Sequence, residues 1–116
     1  YKLLMQHWDL NEIDLREECK ALFLDRMSRA MSIASISKGG FAGTFVDLKY
    51  VFTMALKRRA DRVILAHNHP SGNLKPSSND IKMTKEFMKA GNILALPVVD
   101  HLIITKNGFC SVMDYI

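Results

Sequence analysis

Ala66-His67-Asn68-His69-Pro70-Ser71-Gly72, closed by Ser77-Ser78-Asn79-Asp80, is the stretch on which the reading of this chain turns. It sets two imidazoles, a hydroxyl and a carboxylate within fourteen residues. His67 and His69 are two positions apart, so on an extended backbone their side chains leave the same face. A short turn then returns the chain so that Asp80, near a helix start, meets them. Three protein ligands and one open position describe a catalytic zinc site rather than a structural one.

The chemistry follows from the ligand types. Neutral imidazole and carboxylate oxygen both bind zinc at roughly 2.0–2.2 Å. A His-His-Asp set leaves the ion a net charge of about +1, so a bound water stays strongly acidified. The site then needs a general base outside the ligand set, and an upstream Glu is the natural candidate. Ser77 is placed to donate a hydrogen bond to a developing oxyanion. Ser77-x-x-Asp80 also reads as a helix N-cap with an acid at N3, and one Asp can serve both purposes.

The pattern H-x-H-P-x6-S-x-x-D resembles the JAMM (MPN+) metalloprotease signature. The wider run from Leu65 to Ser77 looks like the RadC branch of that family, as do Glu17 to Asp25 (EECKALFLD), Ile36 to Gly40 (ISKGG) and Asp100 to Thr105 (DHLIIT). The resemblance covers nearly the whole chain. It implies a three-layer α/β/α, cytidine-deaminase-like (JAB/MPN) fold around a mixed central sheet. It implies Zn²⁺ held by His67, His69 and Asp80, with Ser77 as oxyanion partner and a Glu on the strand from Arg16 to Leu24 as base. The activity implied is hydrolysis of an amide, peptide or isopeptide, and the family's traditional label concerns DNA repair.

Glu17 and Glu18 compete for the role of base, because consecutive strand residues face opposite sides. Glu17 would share a face with Cys19, Ala21 and Phe23, and Glu18 with Lys20, Leu22 and Leu24. Neither face decides by polarity. Counting back from Leu24-Asp25, Glu17 falls where the RadC branch usually has Glu, so Glu17 is favoured and Glu18 stays open. The branch often has an acid just before Ile36-Ser37, where this chain has Ser35.

Composition bounds the rest. A length of 116 residues, 48% hydrophobic and 24% charged, fits one compact domain spanning 1–116 with a real core. No apolar run approaches a membrane span and no signal-peptide order appears, so a cytoplasmic protein is expected. The chain starts at Tyr1 rather than Met, so a longer parent is expected. RadC-like proteins often carry an N-terminal helix-hairpin-helix region, and none is visible here. Cys19 and Cys110 lack metal or redox spacing and read as reduced thiols.

The coarse element order is strands and helices in alternation. Lys2 to Trp8 reads as an edge strand, able to pair with a second copy into a homodimer, or as the tail of a linker. Asp9 to Leu15 is turn-like. Glu18 to Leu24 and Ala30 to Ile36 form a hairpin, and Lys38 to Gly43 is glycine-rich loop. Asp47 caps a helix whose Leu48, Val51, Phe52, Ala55 and Leu56 recur at helical spacing. Arg62 to Ala66 is a buried strand delivering His67. Asn79 to Ala90 is a second helix, with Ile81, Thr84, Phe87 and Met88 inward and Gly91 as C-cap. Ile93 to Leu96 and Val98 to Thr105 read as strands around Pro97. Lys106-Asn107-Gly108 turns into a last strand, Phe109 to Met113. This order makes an α/β layered domain. The loop Gly39–Thr44 and the turn Ser71–Pro76 are expected to wall the substrate site.

The net charge is +4 with a cluster at Lys57-Arg58-Arg59 and Arg62, which reads as a weak attraction to DNA or an acidic partner, or as a solvated helix end. Asp100-His101 reads as a hydrogen-bonded pair holding sheet or loop geometry, and His7 as an exposed residue of the first strand. Two functions therefore compete: a zinc hydrolase, and a non-catalytic DNA- or protein-binding module that keeps the metal-site fold. A nucleobase deaminase is disfavoured, since H-x-E with P-C-x-x-C is absent.

Overall fold

The computed structural model describes residues 1–38 and 46–116. The expected loop wall at Gly39–Thr44 lies outside the described residues.

The second half of the chain is built on one βαβ crossover. β3 (Arg62–Asn68) runs into the turn at 69–77, α3 (Ser78–Ile93) returns, and β4 (Val98–Thr105) lies parallel beside β3. The remaining pairings are antiparallel. β1 (Glu18–Leu24) lies on the other side of β3, β2 (Ala30–Lys38) flanks β1, and β5 (Gly108–Ser111) flanks β4. The sheet order is β2-β1-β3-β4-β5, so the sheet is mixed and its edges are β2 and β5. β1 and β3 are covered on both faces, which is why their sequences ALFL and VILA are apolar runs without alternation.

Each face has its own core. On one face Cys19, Ala21, Phe23, Val63 and Leu65 pack against Val51, Phe52 and Ala55 of α2 (Leu48–Lys57) and Phe87 of α3. On the other, Leu22, Leu24, Ala66, Leu102 and Ile104 pack against Leu4, Trp8 and Ile13. The layers are therefore α/β/α, with both long helices on one face. The layer on the other face is thin, formed by the four-residue α1 (Lys2–Met5) and the turns after it.

α1 corrects one expectation. Lys2 to Trp8 is not an edge strand: Leu4 and Trp8, four apart, both bury onto the sheet, a helical spacing that a short alternating reading conceals. The homodimer expected through that strand loses its basis. His7 is exposed as expected, although on a turn.

Two corrections concern the end of α3. Ile93 to Leu96 is not a strand, because α3 runs on through Ile93. Gly91 is not the cap either. The helix closes in a Schellman arrangement in which Leu96 N–H donates to Gly91 C=O (2.8 Å) and Ala95 N–H to Asn92 C=O (3.4 Å). Ala95 holds the left-handed position, φ 56°, that glycine usually fills. Gly91 is required for another reason: a Cβ there would lie 2.4 Å from the Leu96 carbonyl oxygen.

The last strand ends at Ser111, and Val112–Tyr115 form a 3₁₀ turn. Leu56 is exposed rather than core. Among the described residues no helix is long and apolar enough to cross a membrane.

Candidate metal centre

The site forms where β3 ends and α3 begins. Val63, Leu65 and His67 lie on one face of β3, so the apolar row ends in a buried imidazole. Opposite it, Asp80, Thr84, Phe87 and Gly91 recur at helical spacing along α3 and are all buried. That stripe is polar at the helix start and apolar beyond. α3 begins with a full capping box: Ser77 Oγ accepts from Asp80 N–H (3.0 Å) and Asp80 Oδ2 accepts from Ser77 N–H (2.8 Å). The box fixes the carboxylate in the first turn, where the helix dipole favours it.

His67, His69 and Asp80 converge. The two imidazole Nε2 atoms are 2.9 Å apart. Asp80 Oδ1 lies 3.2 Å from His67 Nε2, and Asp80 Oδ2 lies 3.2 Å from His69 Nε2. Glu17 Oε1 is 3.7 Å from His67 Nε2, and the ligand atoms of Glu17, His67 and His69 all fall within 4.8 Å of one another. Two nitrogens on one tetrahedral ion at roughly 2.0–2.1 Å are about 3.3 Å apart. A small opening of the pair therefore accommodates a metal ion, and the donor set fits one of zinc type.

Glu18 points elsewhere. Its carboxylate accepts from Ser35 Oγ (2.7 Å) and lies 3.6 Å from Lys20 Nζ. Of the two glutamates, Glu17 is thus the one that faces the imidazoles. Ser77 Oγ is committed as the cap acceptor, and among the described residues its hydroxyl hydrogen is given to no partner.

Electrostatics bind the cluster together. Burial pulls the Asp80 carboxyl upward, but hydrogen bonds with His67 and His69, with Ser77 N–H added, hold it well below the usual carboxylate range. The Asp80 carboxylate in turn raises His69, against burial and with help from the Asn73 carbonyl. Burial pushes the Cys19 thiol up to about 12, with Glu17 adding to the effect, so Cys19 is an inert neighbour rather than a nucleophile.

Two residues behind the site have partners that the sequence reading did not assign to them. Asn68, between the histidines, points to the opposite face and is fully buried. Its Oδ1 accepts from Trp8 Nε1–H (3.1 Å) and Glu18 N–H (2.8 Å). Its Nδ2 donates to Ile13 C=O (2.8 Å) and Arg16 C=O (2.6 Å). All four of its hydrogen-bonding positions are used. Arg16 and Glu18 flank Glu17, so one amide fixes the backbone on both sides of that acid. Its position inside His-Asn-His was the available signal.

His101 is the second. Its imidazole does not pair with the Asp100 side chain, which accepts from the His101 backbone N–H (2.8 Å) and from Ser111 Oγ (2.6 Å). The ring is fully buried behind His67, with Nε2 2.7 Å from His67 Nδ1 and Nδ1 2.6 Å from Thr84 Oγ1. Burial, reinforced by His67, pushes it down to about 3, so it is neutral. Its place at the head of the apolar run Leu102-Ile103-Ile104 of β4 was the signal for it.

Fold and site together define an α/β domain with a histidine–carboxylate centre at a strand end and helix start. A family model described as "RadC-like JAB domain" matches residues 1–115. The chain is 47% identical over 98 residues to a UPF0758 protein of Flavobacterium johnsoniae, covering 84% of this chain and 43% of the relative. It is 38% identical over 107 residues to a UPF0758 protein of Syntrophomonas wolfei, covering 92% of this chain and 43% of the relative. The chain belongs to the RadC-like JAB-domain family. It spans less than half the length of these curated relatives, 43% in both.

Proposed function

We propose that this domain is a Zn²⁺-dependent hydrolase of the JAMM type, acting on a peptide or isopeptide amide. The observation that carries the reading is the meeting of His67, His69 and Asp80 beside a second, separate acid, Glu17. His67 and His69 would hold the ion through Nε2 and Asp80 through a carboxylate oxygen. A Zn²⁺ held there would supply Lewis acidity to a water and to the substrate carbonyl. Glu17 takes the proton released by the attacking water and delivers it to the leaving amine. Its flanking peptides are held by Asn68, so its carboxylate stays aimed. Ser77, with a hydrogen still to give, donates to the oxygen on which charge develops.

The test is a comparison of Glu17→Gln and Glu18→Gln on a panel of peptide and isopeptide substrates. Glu17→Gln is expected to lose about 10²-fold or more in kcat while still binding zinc, and Glu18→Gln to stay within a few-fold. Wild-type rates in Glu17→Gln would overturn the assignment.

A second reading, a DNA- or protein-binding module, is favoured by one observation. Lys57, Arg58, Arg59 and Arg62 gather at the end of β3 opposite the site. Arg58 and Arg62 are tied to Ser32 and Ser28, and Arg58 lies over Phe23, which accounts for half the cluster structurally. No turnover on the panel, with salt-sensitive DNA binding that survives Asp80→Ala, would move the assignment there.

A further inference from the structure

We infer that His101 and Thr84 are positioning residues that fix which nitrogen of His67 carries the proton. The inference rests on the metal-site reading above, and it follows from a chain of four hydrogen-bonding groups. Thr84 Oγ1 lies 2.6 Å from the Asp80 carbonyl and 2.6 Å from His101 Nδ1. A carbonyl only accepts, so the single hydroxyl hydrogen of Thr84 goes to Asp80 C=O. His101 Nδ1 must then carry a hydrogen and donate it to Thr84 Oγ1. The His101 ring is fully buried and its ring nitrogens meet only Thr84 and His67 among the described residues, with no carboxylate to hold a second ring proton, so its Nε2 is bare and accepts. At 2.7 Å from that nitrogen, His67 Nδ1 is the donor. His67 Nε2, the atom that faces Asp80 and His69, is thereby left free for a cation.

His69 is oriented by a shorter route. Its Nδ1 donates to Asn73 C=O at 2.7 Å, and a carbonyl leaves no other choice. Both imidazoles therefore present Nε2 to one point, one fixed by a loop carbonyl and the other by a buried relay. The relay starts at the backbone of Asp80, the residue whose side chain completes the cluster. It thus couples the seat of α3 to the orientation of a β3 side chain. Partners that hold the outer nitrogen of a ligating histidine typically govern metal affinity by about 10–100-fold.

The test uses His101→Leu, which removes the acceptor, Thr84→Val, which removes the hydroxyl at equal volume, and His101→Gln, which restores an acceptor. Zn²⁺ affinity is measured by chelator competition, and long-range ¹H–¹⁵N imidazole spectra locate the His67 proton at pH 8. Melting temperatures in chelator check that each variant is folded. His101→Leu and Thr84→Val are expected to bind Zn²⁺ about 10–100-fold more weakly, with His101→Gln recovering most of the loss. The wild-type spectrum should show the His67 proton on Nδ1. A folded His101→Leu with native affinity, or a His67 bare at Nδ1, would overturn the relay. Wild-type protein that binds no Zn²⁺ would overturn the hydrolase reading instead, and the spectrum would still decide the relay.

Discussion

Asn68 and His101 show how much of this site lies behind the residues that face it. Asn68 uses all four of its hydrogen-bonding positions on groups 50 or more residues away, and His101 reaches 34 residues back to His67. His67, His69, Ser77 and Asp80 were legible in the sequence because their spacing is local: a strand end, a turn and a capping box. Glu17 was half legible, since its choice over Glu18 depended on strand register. Asn68 and His101 were not, because their partners are set by tertiary packing. His101 also carries a pH prediction. Its folded value, about 3, lies below its ordinary 6.5, so only the unfolded chain takes the proton as pH falls from 6.5. Stability from this group is present above pH 6.5 and lost on acidification. His69, raised by Asp80, contributes with the opposite sign, its stability lost as pH rises through its folded value. The difference between wild type and His101→Gln isolates His101. Urea unfolding between pH 6.5 and 4.5 should show a shallower loss in the variant, and equal slopes would contradict the account.

Among the elements, the helix N-caps and apolar runs were read correctly and the short or strained pieces were not. Asp47 and Ser77 start α2 and α3 where an N-cap residue predicts a helix start. α1 was misread because four residues are too few to separate a helical from an alternating pattern. The end of α3 was misread because Gly91 looks like a cap, while its real duty is the approach of the Leu96 carbonyl. Opposite predictions follow for the two positions. Gly91→Ala should destabilise by about 2 kcal/mol or more, since the added methyl meets backbone that cannot step aside. Ala95→Gly should stabilise by about 0.5–1 kcal/mol, by relieving a left-handed alanine. Denaturant midpoints at unchanged m-value would show both. A neutral Gly91→Ala would mean that the 91–96 contact is looser than drawn.

For the molecule as a whole, the site sits where a parallel crossover brings a strand end to a helix start. The two cores lock that junction from both faces, the α2/α3 side through Phe23 and Phe87 and the thin side through Trp8 and Ile13. The fold class was legible because β1 and β3 carry the apolar runs ALFL and VILA, β4 carries Leu102-Ile103-Ile104, and the helices between them start on N-caps. The thin layer was not, since its order comes from packing onto the sheet rather than from its own pattern. The central claim is that this arrangement exists to hold one metal ion. Elemental analysis of the purified protein, beside His67→Ala and Asp80→Ala, tests it most directly. The account predicts about one zinc per chain in the wild type and its loss in both variants. No zinc after reconstitution, or full zinc retained in Asp80→Ala, would contradict it.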